Sequence, residues 1–188
     1  MKRLLLMIGI VLLLGGCGKA ADTADQNAGQ ESNTAAANTK DVTNDVGETA
    51  AAEGFTFEYN GTIIPMNVDA APIVEALGEP TDYFEAASCA FQGMDKQYYY
   101  NGFELGTYPN GKKDLVSYVN FVDDTVTTDQ GICLGSTLKE LLAAYGKDYT
   151  AEGTSYVYKL GKSKLTFIVE EDAVTQITYA AIVEGLNN

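Results

Sequence analysis

An internal repeat constrains the fold of this chain more than any other feature of its sequence. The stretches 67–83 and 135–151 align at an offset of 68 residues, and each carries apolar residues at positions i, i+3, i+4 and i+7. That spacing places the apolar side chains on one stripe of a helix. The paired positions are Ala70 with Leu138, Ile73 with Leu141, Val74 with Leu142, and Leu77 with Tyr145. The repeat therefore predicts two short helices, and each must bury its stripe against another element.

Residues that begin and end secondary structure surround both stripes. Gly78 and Gly146 stand just past each predicted helix, where glycine commonly ends the last turn, and Ser136 is the predicted N-cap of the second helix. Segments with alternating apolar residues follow each helix, and turn pairs such as Asn101-Gly102 separate them. The predicted strands are 98–100, 103–108, 115–121, 156–160, 164–169 and 174–179, with further strands at 55–59 and 83–91.

This order of elements predicts an α+β fold. We expect two tandem helix-plus-antiparallel-meander units, at about 62–126 and 130–180, which form one sheet with the short helices on one face. The whole folded domain is expected to span 54–188, a length sufficient for one hydrophobic core.

The N-terminus has the pattern of an export signal. Lys2 and Arg3 precede an apolar run, 4–14, that is too short to cross a bilayer comfortably. The run ends in Leu14-Gly15-Gly16-Cys17, which resembles the lipobox of bacterial lipoproteins. This resemblance implies that 1–16 is a signal peptide, that Cys17 is acylated, and that the lipid holds the protein at the extracytoplasmic face of the cell membrane, or at an outer membrane if the host is Gram-negative. The alternative is a free thiol beside an ordinary signal peptide or membrane anchor.

The segment that follows is predicted to be a disordered tether. From Gly18 to Glu53 there is no aromatic residue, and Val42 and Val46 are the only large aliphatic residues. Such a segment buries too little apolar surface to offset the entropy of ordering it. As a random coil it would span on the order of 30 to 40 Å.

The charge of the chain excludes one class of partner. Removal of 1–16 leaves 10 basic against 26 acidic residues, so the formal net charge falls from −14 to −16. Such a surface repels nucleic acids and anionic lipid headgroups, and we therefore expect no nucleic-acid partner. The expected membrane contact is the lipid anchor alone.

The glycine-bounded helix at 132–146 and the repeated helix-then-strands pattern resemble two known families. One is the β-lactamase inhibitor protein family, and the other comprises small outer-membrane assembly lipoproteins of the BamE and SmpA type. The stretch 88–108, SCAFQGMDKQYYYNGFELGTY, is also similar to uncharacterised lipoproteins of Gram-positive bacteria. These resemblances imply a tandem architecture, and they transfer no inhibitory residues because no inhibitory loop motif is recognisable.

The residue types present limit the chemistry of the chain. No histidine occurs, which excludes Ser-His-Asp and Cys-His nucleophilic systems and the commonest zinc sites. Two dense acidic groups occur: one is Asp123 and Asp124, and the other is Glu170, Glu171 and Asp172. Each group could lie in a solvated turn, and the alternatives are a glycosidase carboxylate pair or a calcium site. We expect solvated turns, no catalytic residue, no metal and no cofactor.

Cys89 and Cys133 are the two thiols that remain after acylation of Cys17. Outside the cytoplasm they could form a disulfide, which would stabilise the fold by roughly 3 to 4 kcal/mol in the chain-entropy model. Two buried thiols are an equally good interpretation.

Tyrosines are the candidate binding residues. Alternation along the strand puts Tyr98 and Tyr100 on one sheet face and Tyr99 on the other. The candidate contact residues are Tyr98, Tyr100, Tyr108, Tyr118, Tyr156 and Tyr158. Exposed tyrosines offer rigid amphipathic contact area; the alternative is that these tyrosines pair across strands and only stabilise the sheet.

We therefore expect a binding module rather than an enzyme. In this hypothesis a tyrosine-rich sheet face engages a protein or a cell-envelope polymer. The alternatives are an inhibitor of a hydrolase, as the first resemblance implies, and a carboxylate-dependent glycosidase.

Overall fold

The computed structural model describes residues 54–184, and within them the chain is mostly β-structure. Strands hold 52% of these residues and helices 11%, so the predicted α+β class is wrong. Cys17 and the predicted signal peptide and tether lie outside the described residues. The elements in chain order are β1 Thr56–Tyr59, β2 Thr62–Pro65, α1 Ala71–Leu77, β3 Asp82–Ala87, β4 Met94–Tyr100, β5 Phe103–Asn110, β6 Lys113–Phe121, α2 Leu138–Tyr145, β7 Thr150–Glu152, β8 Ser155–Leu160, β9 Ser163–Glu170 and β10 Ala173–Ala181.

The predicted class failed because the helices contribute less to the core than their stripes indicate. Each helix has only about two turns, and Ile73 in α1 and Leu141 in α2 are their only fully buried residues. A hairpin of β1 and β2, joined by the predicted turn at Asn60-Gly61, supplies the rest of the cover. The sequence indicated β1, whereas β2 and the short β7 were not predicted.

Eight of the ten strands form one antiparallel sheet. Its strand order is β3-β4-β5-β6-β10-β9-β8-β7, and β1 and β2 form a separate two-stranded sheet. The sheet thus consists of two stretches of consecutive strands, β3 to β6 and β7 to β10. They meet where Asn120, Val119 and Tyr118 of β6 pair with β10.

The repeat in the sequence corresponds to a repeated pattern of backbone hydrogen bonds. Strands β9 and β10 begin and end sixty residues after β5 and β6. At the start of each helix the chain bonds to the last strand of its own stretch, or to the residue just before that strand, through three equivalent hydrogen bonds. These are Asn67 N to Val116 O, Val116 N to Val68 O and Ala70 N to Asp114 O in the first stretch, and Gly135 N to Val174 O, Val174 N to Ser136 O and Leu138 N to Asp172 O in the second.

The core lies between the sheet and the layer formed by α1, α2 and the β1–β2 hairpin. Phe57 of β1 occupies its centre, with its ring centroid 5.1 Å from those of Phe103 and Phe121 and 5.9 Å from that of Tyr179. These three partners lie on β5, β6 and β10, so one aromatic side chain contacts both stretches of the sheet. Aromatic pairs at such separations add stability beyond the area that they bury.

The helix ends follow the sequence prediction in part. Gly78 and Gly146 end α1 and α2 as predicted, with closely similar φ and ψ of 79° and −162° for Gly78 and 76° and −159° for Gly146. The predicted N-cap Ser136 is wrong by one residue. Thr137 caps α2, and its hydroxyl accepts from Glu140 N at 3.2 Å while the Glu140 carboxylate accepts from Thr137 N at 2.8 Å.

This capping box allows a direct test of what stabilises α2. Thr137→Ala should lower the free energy of unfolding by about 1 kcal/mol. Glu140 N loses its side-chain acceptor, and the Glu140 carboxylate loses the hydroxyl that helps to hold it against Thr137 N. Thr137→Ser keeps the hydroxyl and should stay close to the parent chain. Urea unfolding followed by circular dichroism measures both, and an equal loss in the two variants would show that the methyl group, not the cap, is what matters.

Candidate functional site

The two faces of the eight-stranded sheet differ in burial. One face packs on the core through side chains such as Phe103, Leu105, Val119, Leu165 and Phe167, all with no exposed surface. No described helix or strand packs on the other, which we call the open face, and the β3–β4 loop covers only its margin at Tyr108. Its members follow from the cross-strand register and include Phe84, Gln97, Tyr99, Glu104, Gly106, Tyr118, Asn120, Gln176, Thr178, Lys164, Thr166, Ser155, Val157 and Lys159.

The predicted binding tyrosines do not lie together on the open face. As predicted, Tyr98 and Tyr100 share one face and Tyr99 lies on the other. That shared face is the covered one. Tyr100 and Tyr158 are 7% and 4% exposed, which leaves almost no surface for a partner.

The remaining candidates also need correction. Tyr98 and Tyr156 pack against the core from its margin. Tyr108 is 5% exposed because Phe91 of the β3–β4 loop covers it, with ring centroids 5.1 Å apart, and its hydroxyl donates to Asn67. Tyr108 and Tyr118 are the two candidates on the open face, where Tyr108 is buried and Tyr118 is half-buried. The layer of helices and hairpin covers four of the six, and Phe91 covers Tyr108, so the six tyrosines do not form one exposed surface. Their contact with a partner stays a prediction.

Burial gives these tyrosines a different role, which shows in their ionisation. Removal from water raises the pKa of Tyr158 to about 12, and it raises the pKa of Tyr100, Tyr108 and Tyr179 as well. A tyrosine exposed in the unfolded chain ionises near pH 10. The buried rings thus stabilise the folded state only while they are neutral.

Stability should therefore fall in alkaline solution. The contribution of the buried tyrosines is complete below about pH 10 and is lost as the pH rises through about 12, because the unfolded chain then releases protons that the folded chain retains. Urea unfolding at about pH 8 and about pH 11 measures the loss, and tyrosinate absorbance follows the ionisation. Titration of every tyrosine near pH 10 in the folded chain would contradict this account.

Tyr118 is held on the open face by a glycine on the neighbouring strand. Its ring lies over Gly106 of β5, and a Cβ added to Gly106 would stand 2.0 Å from Tyr118 Cε1. The Tyr118 hydroxyl accepts from Gln97 Nε2, and the Tyr99 hydroxyl donates to Gln97 Oε1 at 3.3 Å. Gly106 thus creates the space in which a ring can lie flat across three strands.

A double-mutant cycle tests this arrangement. Gly106→Ala should cost roughly 1 to 3 kcal/mol of stability, because the new methyl group displaces the Tyr118 ring. In a Tyr118→Ser background the same substitution should cost much less, which makes the two changes strongly coupled. Equal costs in the two backgrounds would show that the ring does not determine the requirement for glycine.

A second polar chain crosses the middle of the open face. Asn120 Nδ2 donates to Glu104 at 3.5 Å, and Asn120 Oδ1 accepts from the Thr178 hydroxyl at 2.9 Å. Gln176 Nε2 in turn donates to Thr178 at 3.1 Å. These side chains link β5, β6 and β10, so hydrogen-bonding groups continue across the junction between the two stretches of the sheet.

Three shallow cavities lie along the open face. One of about 290 Å³ is over β3 to β6, beside Phe84 and Gln97, and one of about 300 Å³ is over the β6–β10 junction, beside Tyr118 and Thr178. The third, about 320 Å³, is over β7 to β9, beside Lys159 and Lys164. Together they extend over both stretches of the sheet, which gives this face room for an extended ligand.

The other predicted sites lie away from these cavities. Asp123 Oδ1 accepts from the Thr125 hydroxyl and from Thr125 N, the latter at 2.9 Å, and these two hydrogen bonds lower the pKa of Asp123 in an exposed turn. The acids at 170–172 are exposed where β9 turns into β10.

Cys89 is exposed, Cys133 is buried, and no disulfide joins them. Across residues 54–184 no group of three acidic or cysteine side chains is placed to hold a metal ion, and no helix is long and apolar enough to cross a membrane.

Sequence reasoning missed the residues that actually form the open face. These residues are polar and alternate with more buried residues along strands that were predicted; they are Gln97, Asn120, Lys159, Lys164, Gln176 and Thr178. Their signal is therefore the polar half of the period-two pattern. The tyrosines lie mostly in the apolar half of that pattern, so most of the predicted binding residues belong to the covered face.

Comparison of the chain with protein-family models, with curated proteins and with solved structures finds no match.

Proposed function

We infer that this protein is a binding module whose open face contacts a protein or a cell-envelope polymer. The observation that carries the proposal is the distribution of cavities, three of which lie along the face that no described helix or strand covers. Polar side chains with spare hydrogen-bonding capacity line them together with Phe84 and Tyr118. Aromatic rings beside amide and hydroxyl groups suit partners that present both apolar and polar surface.

The way the side chains are held supports recognition rather than turnover. Hydrogen bonds join Gln97 to Tyr118 and Asn120 to Thr178. A partner would therefore meet side chains that are already ordered. Preorganised groups lose less side-chain entropy when a complex forms. The acidic groups that a glycosidase would need lie instead in exposed turns.

The proposal includes attachment to a membrane through acylated Cys17. The lipobox-like sequence at 14–17 supports it, and the length of 18–53 would let the domain reach away from the lipid surface. A lipid-anchored chain at the extracytoplasmic face would meet envelope polymers and exported proteins.

The test places large charged side chains on each face in turn. Thr166→Arg with Thr178→Arg changes two paired positions of the open face, whereas Ala76→Arg with Ala143→Arg adds the same charge to exposed positions of α1 and α2. The full chain, in nonionic detergent, is used to capture partners from an envelope extract, and binding of the purified partner is then measured. We expect the open-face variant to bind about tenfold more weakly or worse and the helix variant to bind normally.

Three outcomes follow from this comparison. Equal binding by both variants, with circular dichroism unchanged, would contradict an open-face site. Loss only in the helix variant would move the site to the covered side. If the partner is a hydrolase, stoichiometric loss of its activity would identify the binding module as an inhibitor.

A further inference from the structure

Two lysines face each other on the open face, and neither forms a salt bridge within residues 54–184. Lys159 of β8 and Lys164 of β9 are directly paired across the strands. Like charges in this position oppose strand pairing. Within residues 54–184 the salt bridges join Lys96 to Asp114 and Lys113 to Asp69, and neither includes this pair.

The fold does not require lysine at these positions. In the first stretch of the sheet the equivalent cross-strand pair, sixty residues earlier, is Tyr99 with Glu104. The pairs immediately beside them match closely, since Tyr98 with Leu105 corresponds to Tyr158 with Leu165. The same backbone thus accepts an aromatic residue and an acid where the second stretch carries two positive charges.

The lysine pair lines the cavity of about 320 Å³ together with three hydroxyl-bearing residues, Thr150, Ser155 and Thr166. Within residues 54–184 none of these three hydroxyls forms a side-chain hydrogen bond, so all three are available as donors. Glu152 is the one carboxylate in the lining. Two ammonium groups and three hydroxyls offer more donors than the two oxygens of a carboxylate can accept, and they suit the several oxygens of a phosphate.

The surrounding charge limits what can bind there. The chain has a formal net charge of −14, whereas 159–164 contains three lysines and no acid. Asp95 and Glu104 lie on the open face over β4 and β5, three or four strand spacings from β9 in the strand order. At about 4.8 Å per spacing this is roughly 14 to 19 Å, so a ligand that is anionic along its whole length would meet repulsion.

We propose that the lysine pair Lys159 and Lys164, with the hydroxyls of Thr150, Ser155 and Thr166, forms a site for a phosphate group of the ligand. This inference rests on the proposed function of the open face and adds the chemical class of group that binds at one end of it. A phosphate ester on an envelope polymer and the headgroup of an anionic phospholipid carry the same chemistry.

The experiment is an amide NMR titration of the full chain in nonionic detergent with inorganic phosphate at constant ionic strength. Saturable shifts should concentrate at 155–166. The variant Lys159→Gln with Lys164→Gln should bind phosphate about tenfold more weakly or worse, because both charge-assisted contacts are lost. The control Lys139→Gln with Lys147→Gln removes the same charge at α2 and just beyond it, where both lysines are exposed, and should titrate like the parent chain.

Glu152→Gln sharpens the result, since removal of the carboxylate from the lining should tighten phosphate binding. Persistence of the shifts in the double Lys→Gln variant, or their reproduction by chloride, would overturn the proposal. Absence of any saturable shift would overturn it as well.

Two further probes distinguish the sources of the phosphate. A soluble glycerol phosphate ester and detergent micelles doped with phosphatidylglycerol are compared, with phosphatidylcholine as the neutral control. Stronger effects of the soluble ester indicate a polymer, and stronger effects of the doped micelles indicate a lipid headgroup.

The outcome can be separated from that of the proposed function. If the double Lys→Gln variant captures the same partner with the same affinity while phosphate produces no shift, the phosphate site is wrong and the open face remains the binding surface. If phosphate binds as expected but the arginine variants of the open face retain their partner, the phosphate site stands and the wider contact surface is wrong.

Discussion

The pairing of β6 with β10 is the contact on which the rest of the structure depends. Only this pairing joins the two stretches of strands, through the partners of Asn120, Val119 and Tyr118. A shift of one residue would turn the apolar side chains of one stretch to the opposite face. Because Val119 and Tyr179 are paired and both buried, the two stretches present one continuous apolar surface on the same side. Phe57 covers that surface at the junction, which explains why a short hairpin can complete a core that two small helices leave open.

The open face is the consequence of covering only one side. Once the helices and the hairpin pack on the apolar surface, the alternate side chains must be satisfied by one another or by solvent. Asn120 and Thr178 do this across the junction, and Gln97 does it with Tyr118. The face is therefore ordered without being covered, a combination that suits recognition of a partner by groups already in place.

The sequence predicted local structure better than it predicted the class or the burial of the tyrosines. Both helices, their terminal glycines and most strands follow from periodicity and turn residues, since these depend on neighbours along the chain. The fold class depended on how much of the core the helices cover. They cover less than predicted because Phe57, in the four-residue strand β1, fills the centre of the core. β7 was missed because its three residues are all exposed and carry no apolar pattern. Similarly, alternation correctly separated Tyr99 from Tyr98 and Tyr100, but the choice of the covered face depends on the distant pairing of β6 with β10.

The two stretches of the sheet resemble each other most where they touch the core and least where they face outward. Leu105 corresponds to Leu165 and Tyr98 to Tyr158, and these residues pack on the covered side. On the open side Gly106 corresponds to Thr166, and Glu104 corresponds to Lys164. Packing constrains volume and polarity inside the core, whereas an uncovered face tolerates either charge. Glu104 and Lys164 thus place opposite charges at equivalent positions of β5 and β9, so the two stretches differ in the partner groups that they attract although they share one core.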